Sequence, residues 1–181
     1  MAHFEKQLSS DTIFTGRVIS VTLDTVELEN GNIGRREVVH HHGGAGVAAL
    51  NAQGEIYLVR QYRYALDREL IEIPAGKLEP GEDPFETAKR ELGEEAGLTA
   101  AAYRDLGYII PTCGYCSEII YLYAAKELSP VNQHLDPDEF LSVFTMPLEE
   151  AVRLVLSGEI TDSKTVAAIL KVKALRDAGE F

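Results

Sequence analysis

The sequence is poor in basic residues. Seventeen lysines and arginines stand against 29 aspartates and glutamates, so the formal net charge is −12 at neutral pH. Phosphate backbones and anionic membrane surfaces attract proteins that present a basic surface, which this composition does not favour. We therefore expect no nucleic-acid or membrane partner. An anionic small molecule would need local arginines or a bridging cation.

Cysteine and long apolar runs are also scarce. Cys113 and Cys116 are the two cysteines, too few and too close in sequence for a disulfide framework, which favours a reducing compartment. No apolar run reaches the ~18 residues of a transmembrane helix. The stretch Met1–Gln7 lacks the apolar region of a signal peptide. We expect a cytoplasmic protein.

Strand and helix patterns alternate irregularly along the 181 residues. Two N-terminal strands joined by an Asn30-Gly31 turn predict a β-hairpin, and three helices interleave with the later strands. Because no regular βαβ alternation appears, the pattern predicts an α+β fold rather than a doubly wound sheet. The predicted strands are 18–25, 33–41, 47–50, 56–61, 70–73, 102–110, 119–124 and 140–145, and the predicted helices are 84–96, one starting near 147 and one starting after 163.

The pair Gly43-Gly44 marks a predicted boundary. It divides the chain into an N-terminal β-hairpin subdomain, residues 1–42, and a second domain, residues 43–181. The first helix of the second domain has the clearest ends. Asp83 and Glu86 predict a capping box, with a proline at the first helical position, and Gly97 is placed to end the helix.

Acidic residues concentrate on that helix. Glu94 has Arg90 one turn before it, whereas neither Glu91 nor Glu95 has a basic neighbour at helical spacing. Glu95 also borders the apolar stripe, and partly buried carboxylates without compensation are costly. A hard divalent cation, Mg²⁺ or alternatively Mn²⁺, would compensate them. The alternative is a solvated acidic face without any ligand.

A longer pattern surrounds these acids. Gly76, Glu82 and residues 90–98 match every fixed position of the Nudix box, G-x5-E-x7-R-E-U-x-E-E-x-G-U, where U is aliphatic. The chain thus resembles the Nudix hydrolase superfamily. The resemblance implies a mixed β-sheet sandwiched between helices over roughly residues 43–181. It also implies metal-dependent hydrolysis of a nucleoside diphosphate linked to another group.

The resemblance also implies roles for individual residues. Arg90 would orient the carboxylates, and Glu82 would be an outer contact of the metal. Glu94 would serve either as a catalytic group or as a further ligand. The implied metal ligands are Ala75 through its carbonyl, Glu91, Glu95 and Glu94.

Segments outside the box resemble the ADP-ribose pyrophosphatase subfamily, in particular Glu72-Ile73-Pro74-Ala75-Gly76. This likeness implies release of AMP and ribose 5-phosphate from ADP-ribose by a homodimer that exchanges an N-terminal antiparallel β layer. The alternatives are another nucleotide sugar, such as ADP-glucose or GDP-mannose, or a sensor that binds ADP-ribose without cleaving it. The presence of every acid of the box disfavours the sensor. The implied substrate-binding residues are Arg36, Glu37, Arg63, Gly114 and Glu118.

A general base is needed to deprotonate the attacking water. In the subfamily it is a glutamate on a loop in the last third of the chain, and Glu139 is the residue predicted here. Asp136, Asp138 and Glu118 are the alternatives.

Two further features favour structural roles. Cys113-x-x-Cys116 would need two more ligands for zinc, and no second such pair exists. In His40-His41-His42, successive side chains of a strand point to opposite faces, which disfavours chelation by the run.

Overall fold

The structure is a computed structural model that describes residues 3–137 and 139–181. It divides into two compact units. One comprises the N-terminal residues through Gly43 together with Ile110–Ile119, and the other comprises Gly44–Ile109 and Ile120–Phe181. The first unit includes residues 110–119, which the predicted division assigns to the second domain. The boundary at residue 43 stays a prediction.

The first unit contains a three-stranded antiparallel sheet. Its strands are β1 (Lys6–Thr15), β2 (Ile19–Glu27) and β3 (Ile33–His41), in the order β1-β2-β3. The predicted β2–β3 hairpin is confirmed, and Gly31 supplies the positive φ of 79° that its turn requires. The sequence did not predict β1, because this strand is exposed along its whole length and two register shifts interrupt its alternation.

Among its described residues, the second unit contains two sheets, three α-helices and one 3-10 turn (Tyr64–Leu66). A mixed four-stranded sheet has the order β7-β4-β9-β8, with β4 and β9 parallel, and an antiparallel sheet has the order β10-β5-β6. The strands are β4 (Gly44–Ala49), β5 (Glu55–Arg63), β6 (Arg68–Glu72), β7 (Ala75–Lys77), β8 (Leu98–Ile109), β9 (Ile120–Pro130) and β10 (Leu141–Pro147). The helices are α1 (Pro84–Ala96), α2 (Leu148–Ser157) and α3 (Ser163–Asp177).

Strand β4 lies at the centre of this unit and is buried on both faces. One set of its side chains packs with α1 and the alternate set packs with α2 and α3, as period-2 alternation requires. The α1 side includes Ala45, Val47, Ala88 and Leu92, and the other side includes Ala48, Leu50, Leu148 and Ile169. The predicted α+β fold, with a mixed sheet between helices, is therefore confirmed.

Helix α1 begins and ends where the sequence predicts. The Asp83 side chain accepts hydrogen bonds from the amides of Phe85 and Glu86, and Gly97 ends the helix with a φ of 65°. The reciprocal half of the predicted capping box is wrong, because the Glu86 carboxylate binds Lys89 Nζ at 2.9 and 3.0 Å instead. Among the described residues, no helix has the length and apolar character needed to span a membrane.

Candidate active site

Two glutamates of α1 lie against the backbone of β7. The Ala75 amide donates to Glu95 Oε2 at 2.8 Å. A Cβ atom added to Gly76 would lie 1.8 Å from Glu91 Oε1, so only glycine leaves room for this carboxylate. Both side chains are buried, since Glu91 is 7% and Glu95 is 2% exposed. We call Ala75, Gly76, Glu91 and Glu95 the carboxylate cradle.

Burial disfavours the ionised form of both glutamates of the cradle. Desolvation raises the pKa of Glu91 to about 7, although Arg90 opposes the shift. Desolvation likewise raises the pKa of Glu95 to about 8, against the opposing effect of the Ala75 amide. Repulsion between the two carboxylates contributes to the higher value for Glu95. A cation that replaces the protons would stabilise both ionised groups.

Arg90 connects the acids of the box. It donates to Glu82 at 3.0 Å, to Glu91 at 2.8 Å and to Glu94 at 2.7 Å, and its hydrogen bonds lower the pKa of Glu82 to about 2. The inference that Glu91 is an unpaired carboxylate is wrong, because Arg90, its neighbour in sequence, donates to it outside the i, i+3 and i, i+4 spacing on which the prediction rests. Glu95, in contrast, is held by a backbone amide.

The donor chemistry of the cradle fits a hard divalent cation, because two buried carboxylates with raised pKa values supply oxygen ligands. Within residues 3–137 and 139–181, however, no three His, Cys, Asp or Glu side chains already converge as a metal site. The ion pairs of Arg90 engage both Glu91 and Glu94. A bound cation would compete with those ion pairs.

A buried ion cluster that the sequence did not predict lies at the end of β6. Glu72 is 1% exposed and accepts two hydrogen bonds from Arg63, both of 2.6 Å, and one from Lys164. Burial alone would raise the pKa of Glu72, but the donors of Arg63 and Lys164 outweigh it and lower the pKa. The signal that the sequence offered for this cluster was an isolated acid, Glu72, within the apolar run Leu70–Ile73.

The first turn of α3 fixes the same segment. The Ile73 amide donates to Thr165 Oγ1 at 2.8 Å in the interior. Asp162 caps the helix by accepting from the Thr165 amide at 3.0 Å and from the Thr165 hydroxyl at 2.6 Å. This turn therefore positions the chain immediately before the cradle, a role that the helical pattern of α3 did not indicate.

The predicted general base lies within electrostatic reach of the cradle. The charge of Glu139 contributes to raising the pKa values of Glu91 and Glu95. The Glu139 amide donates to the Asp136 carbonyl at 2.9 Å, and the Asp136 amide donates to Glu139 Oε2 at 3.4 Å. The alternative Asp138 lies outside the described residues.

Four predicted substrate-binding residues belong to the first unit. The Arg36 guanidinium pairs with Glu5, and Glu118 lies 3.5 Å from His41 Nδ1. Glu37 is exposed on β3, and a Cβ at Gly114 would meet nothing within 4 Å. The remaining predicted site residues lie in the second unit, namely Arg63, Ala75, Arg90, Glu91, Glu94, Glu95 and Glu139.

The histidine run and the cysteine pair also lie in the first unit. His40 is exposed on β3 and its Nε2 contacts Thr22 Oγ1 at 3.0 Å, whereas His41 is half-buried. Cys113 is exposed, Cys116 is half-buried, and both are free thiols. A structural role for these residues stays a prediction.

Comparison with known families assigns the chain. The family model described as the NUDIX domain matches residues 40–169. The chain belongs to the Nudix family. A second model, the nucleoside diphosphate sugar hydrolase N-terminal domain, matches residues 5–39. Metal dependence is general in Nudix hydrolases.

Similar proteins agree with this assignment. The ADP-ribose pyrophosphatase of Bacillus subtilis (strain 168) is 43% identical over 167 residues, which cover 91% of this chain and 90% of that protein. The GDP-mannose pyrophosphatase of Salmonella typhimurium is 31% identical over 173 residues, 88% of each chain. A crystal structure of an ADP compounds hydrolase shares the fold, with a TM-score of 0.84, 23% identity and coverage of 98% of this chain and 97% of that one. The predictions of a Nudix hydrolase fold and of a Nudix pyrophosphohydrolase are confirmed.

Proposed function

We propose that this Nudix hydrolase cleaves the pyrophosphate bond of ADP-ribose, giving AMP and ribose 5-phosphate, with Mg²⁺ as its cation and Mn²⁺ as the alternative. The observation that carries the proposal is the carboxylate cradle, where burial raises the pKa values of two oxygen ligands in a chain of net charge −12. The 43% identity to an ADP-ribose pyrophosphatase supports the choice of nucleotide sugar.

The carboxylate cradle would hold the cation. Glu91 and Glu95 are the proposed carboxylate ligands, with the Ala75 carbonyl completing the protein contribution and Glu94 as an additional group. When bound, a divalent cation supplies the positive charge that attracts and polarises the pyrophosphate oxygens. The Ala75 amide fixes the orientation of Glu95, and Arg90 fixes that of Glu94. Orientation by such neighbouring groups is worth about 10–100-fold in metal affinity or activity.

Side chains around the cradle would bind the substrate and move the proton. Arg63 is the proposed phosphate contact, because its side chain is 40% exposed beside the buried Glu72. Glu139 would accept the proton of the attacking water at its carboxylate, a role supported by its electrostatic effect on both cradle glutamates. Asp136 and Asp138 are alternatives to Glu139. Arg36, Glu37, Gly114 and Glu118 are the other proposed substrate-binding residues.

We also propose that the enzyme is a cytoplasmic homodimer. The dimer-forming role is assigned to the β1–β3 sheet, the part of the chain that matches an N-terminal domain of nucleoside diphosphate sugar hydrolases over residues 5–39. Sedimentation equilibrium tests the stoichiometry, since a monomer at micromolar concentration would contradict the proposal.

GDP-mannose is the second candidate substrate, favoured by the 31% identity to a GDP-mannose pyrophosphatase. Both candidates carry a pyrophosphate between a nucleoside and a sugar, so the cradle would act on either in the same way. The difference between them must come from contacts with the base and the sugar.

A substrate panel tests the proposal. ADP-ribose, ADP-glucose and GDP-mannose are incubated with enzyme and Mg²⁺, and alkaline phosphatase releases phosphate from any monoester product. We expect kcat/KM for ADP-ribose to exceed the other values by about tenfold or more, and we expect EDTA to abolish turnover. Glu86→Gln serves as the control variant, because Glu86 is an exposed acid of α1 that binds Lys89. A preference for GDP-mannose would replace the proposed substrate, and no turnover of any sugar would refute the proposal.

A further inference from the structure

We propose that Lys164 is a positioning residue that compensates the charge of Glu72 and thereby leaves the positive charge of Arg63 available to an anionic substrate. The inference rests on the proposed function, because it takes Arg63 to contact the pyrophosphate. It concerns a residue of α3 that lies outside the Nudix box.

Glu72 sits between two cations that arrive from different elements. Arg63 of β5 binds both carboxylate oxygens through Nε and Nη2. Lys164 of α3 binds Glu72 Oε2 as well, and its side chain is buried at 10% exposure. The carboxylate therefore receives three charged hydrogen bonds, one more than the guanidinium alone supplies.

The charges determine what Arg63 can offer. Glu72 and Arg63 would cancel each other if they were alone, and Asp162, 3.0 Å from Lys164, would then leave the group with a surplus negative charge. Lys164 brings the group to neutrality from its buried side. The most exposed member is the half-buried Arg63, with 40% exposure of its side chain against 16% or less for the others, so the positive end of a neutral group faces outward. At an effective dielectric constant of ~20, two unit charges about 4 Å apart still interact by several times the thermal energy, so the charge of Lys164 is large enough to affect how strongly Glu72 attracts Arg63.

The geometry of the guanidinium supports the same conclusion. Nε and Nη2 point toward Glu72, while Nη1 donates to no protein acceptor within the part of the chain that is described. Because Glu72 holds the edge of the guanidinium that carries Nε and Nη2, the edge that carries Nη1 points in a fixed direction. A guanidinium edge fixed in this way suits bidentate binding of phosphate oxygens. Lys164 is itself held in place, because the neighbouring Thr165 bonds to both Asp162 and Ile73.

The test removes the lysine charge and then restores the balance. Lys164→Met is expected to raise KM for ADP-ribose about tenfold with a change in kcat below about threefold, because the charge of Glu72 is then matched by Arg63 alone. Lys164→Arg should restore KM. In Glu72→Gln/Lys164→Met, the charges of Arg63 and Asp162 leave the group neutral again, and KM should fall back toward the wild-type value. Lys173→Met is the matched control, since Lys173 lies on the same helix and pairs with Glu149 and Asp177.

A direct contact between Lys164 and substrate would keep KM high in the double variant, and this result would overturn the inference. An unchanged KM in folded Lys164→Met would also overturn it. If Lys164→Met fails to fold, the double variant, in which the group is neutral again, and Lys164→Arg are compared with the wild-type protein instead.

A binding measurement separates this inference from the proposed function. The dissociation constant of ADP is measured by calorimetry without metal, so no turnover is required. If the wild-type protein cleaves no nucleotide sugar, the proposed function fails, yet weaker binding of ADP to Lys164→Met, reversed in the double variant, would still support the charge balance. Equal affinity of all variants for ADP, in an enzyme that does cleave ADP-ribose, would refute the inference alone.

Discussion

Replacing Gly76 with alanine tests the carboxylate cradle with a single methyl group. The added Cβ would lie 1.8 Å from Glu91 Oε1 and 2.2 Å from its Cδ. A carbon and an oxygen that do not bond require more than 3 Å, so the carboxylate must move by at least about 1 Å. The three nearest atoms to this Cβ all belong to Glu91, and the backbone of Gly76 does not adopt a positive φ, so alanine adds no backbone strain there.

The expected magnitudes differ for folding and for catalysis. The clash involves the end of a flexible side chain, so Glu91 can rotate away and the free energy of unfolding should change by less than about 1 kcal/mol. A displacement of about 1 Å in a catalytic group, in contrast, can cost about 100-fold in rate. Since each factor of ten corresponds to ~1.4 kcal/mol, the barrier should rise by about 3 kcal/mol.

The assay compares kcat at saturating ADP-ribose, the affinity for Mg²⁺ by calorimetry and the denaturant midpoint of the metal-free protein. Gly93→Ala is the matched control, because its new Cβ would meet only ordinary contacts, 3.8 Å from the Leu98 carbonyl and 3.9 Å from Val131 Cγ2. The control should keep its activity and gain up to about 1 kcal/mol in stability from better helix propensity. Normal metal affinity and kcat in Gly76→Ala would refute the placement of Glu91 in the metal site.

The remaining predictions concern the same acids. Glu95→Gln should lose more than about 100-fold in kcat, and Glu94→Gln should lose about tenfold or less. The reason is that Glu95 is buried against the Ala75 amide, whereas the Glu94 side chain is 40% exposed in its pair with Arg90. Equal losses of kcat in the two variants would contradict this difference. The stability of the metal-free protein should fall as pH rises from about 4.5 to 8, because folding raises the pKa of Glu91 to about 7 and of Glu95 to about 8, so the folded state retains protons that the unfolded state has released. Urea titrations across this range measure the effect, and Glu95→Gln should flatten the slope. Mg²⁺ should raise the melting temperature more at pH 8 than at pH 6, since fewer protons then compete for the ligands; a pH-independent shift in melting temperature would contradict the pKa assignments.

Local patterns predicted the fold where one segment determines its own structure. The turn at Gly31, the cap at Asp83 and the end of α1 at Gly97 each depend on a few adjacent residues, and all three are found. Strands β1 and β7 were not predicted. The first lacks a buried face, and the second has three residues, too few for any periodicity to appear.

The site shows the same distinction between local and distant contacts. Spacing along one helix correctly identified Glu95, whose carboxylate is bonded by the Ala75 amide and, among the described residues, by no cationic side chain. It failed for Glu91, because the i, i+3 and i, i+4 rule does not consider adjacent residues. The long Arg90 side chain binds Glu91, its neighbour in sequence.

No rule based on neighbouring residues predicts the ion cluster at Glu72. Glu72 and Lys164 are separated by 92 residues, and Ile73 and Thr165 by the same number, so only the packed fold joins them. Within one helical turn, α3 thus provides both a charge for Glu72 and a hydrogen bond for the residue that precedes Pro74. The Nudix box supplies the acids of the cradle, but the backbone that orients Glu95 is itself held by a helix far along the chain. A substitution in the first turn of α3 should therefore affect the cradle before it affects the rest of the fold, because this turn bonds directly to Glu72 and Ile73, which lead into the cradle.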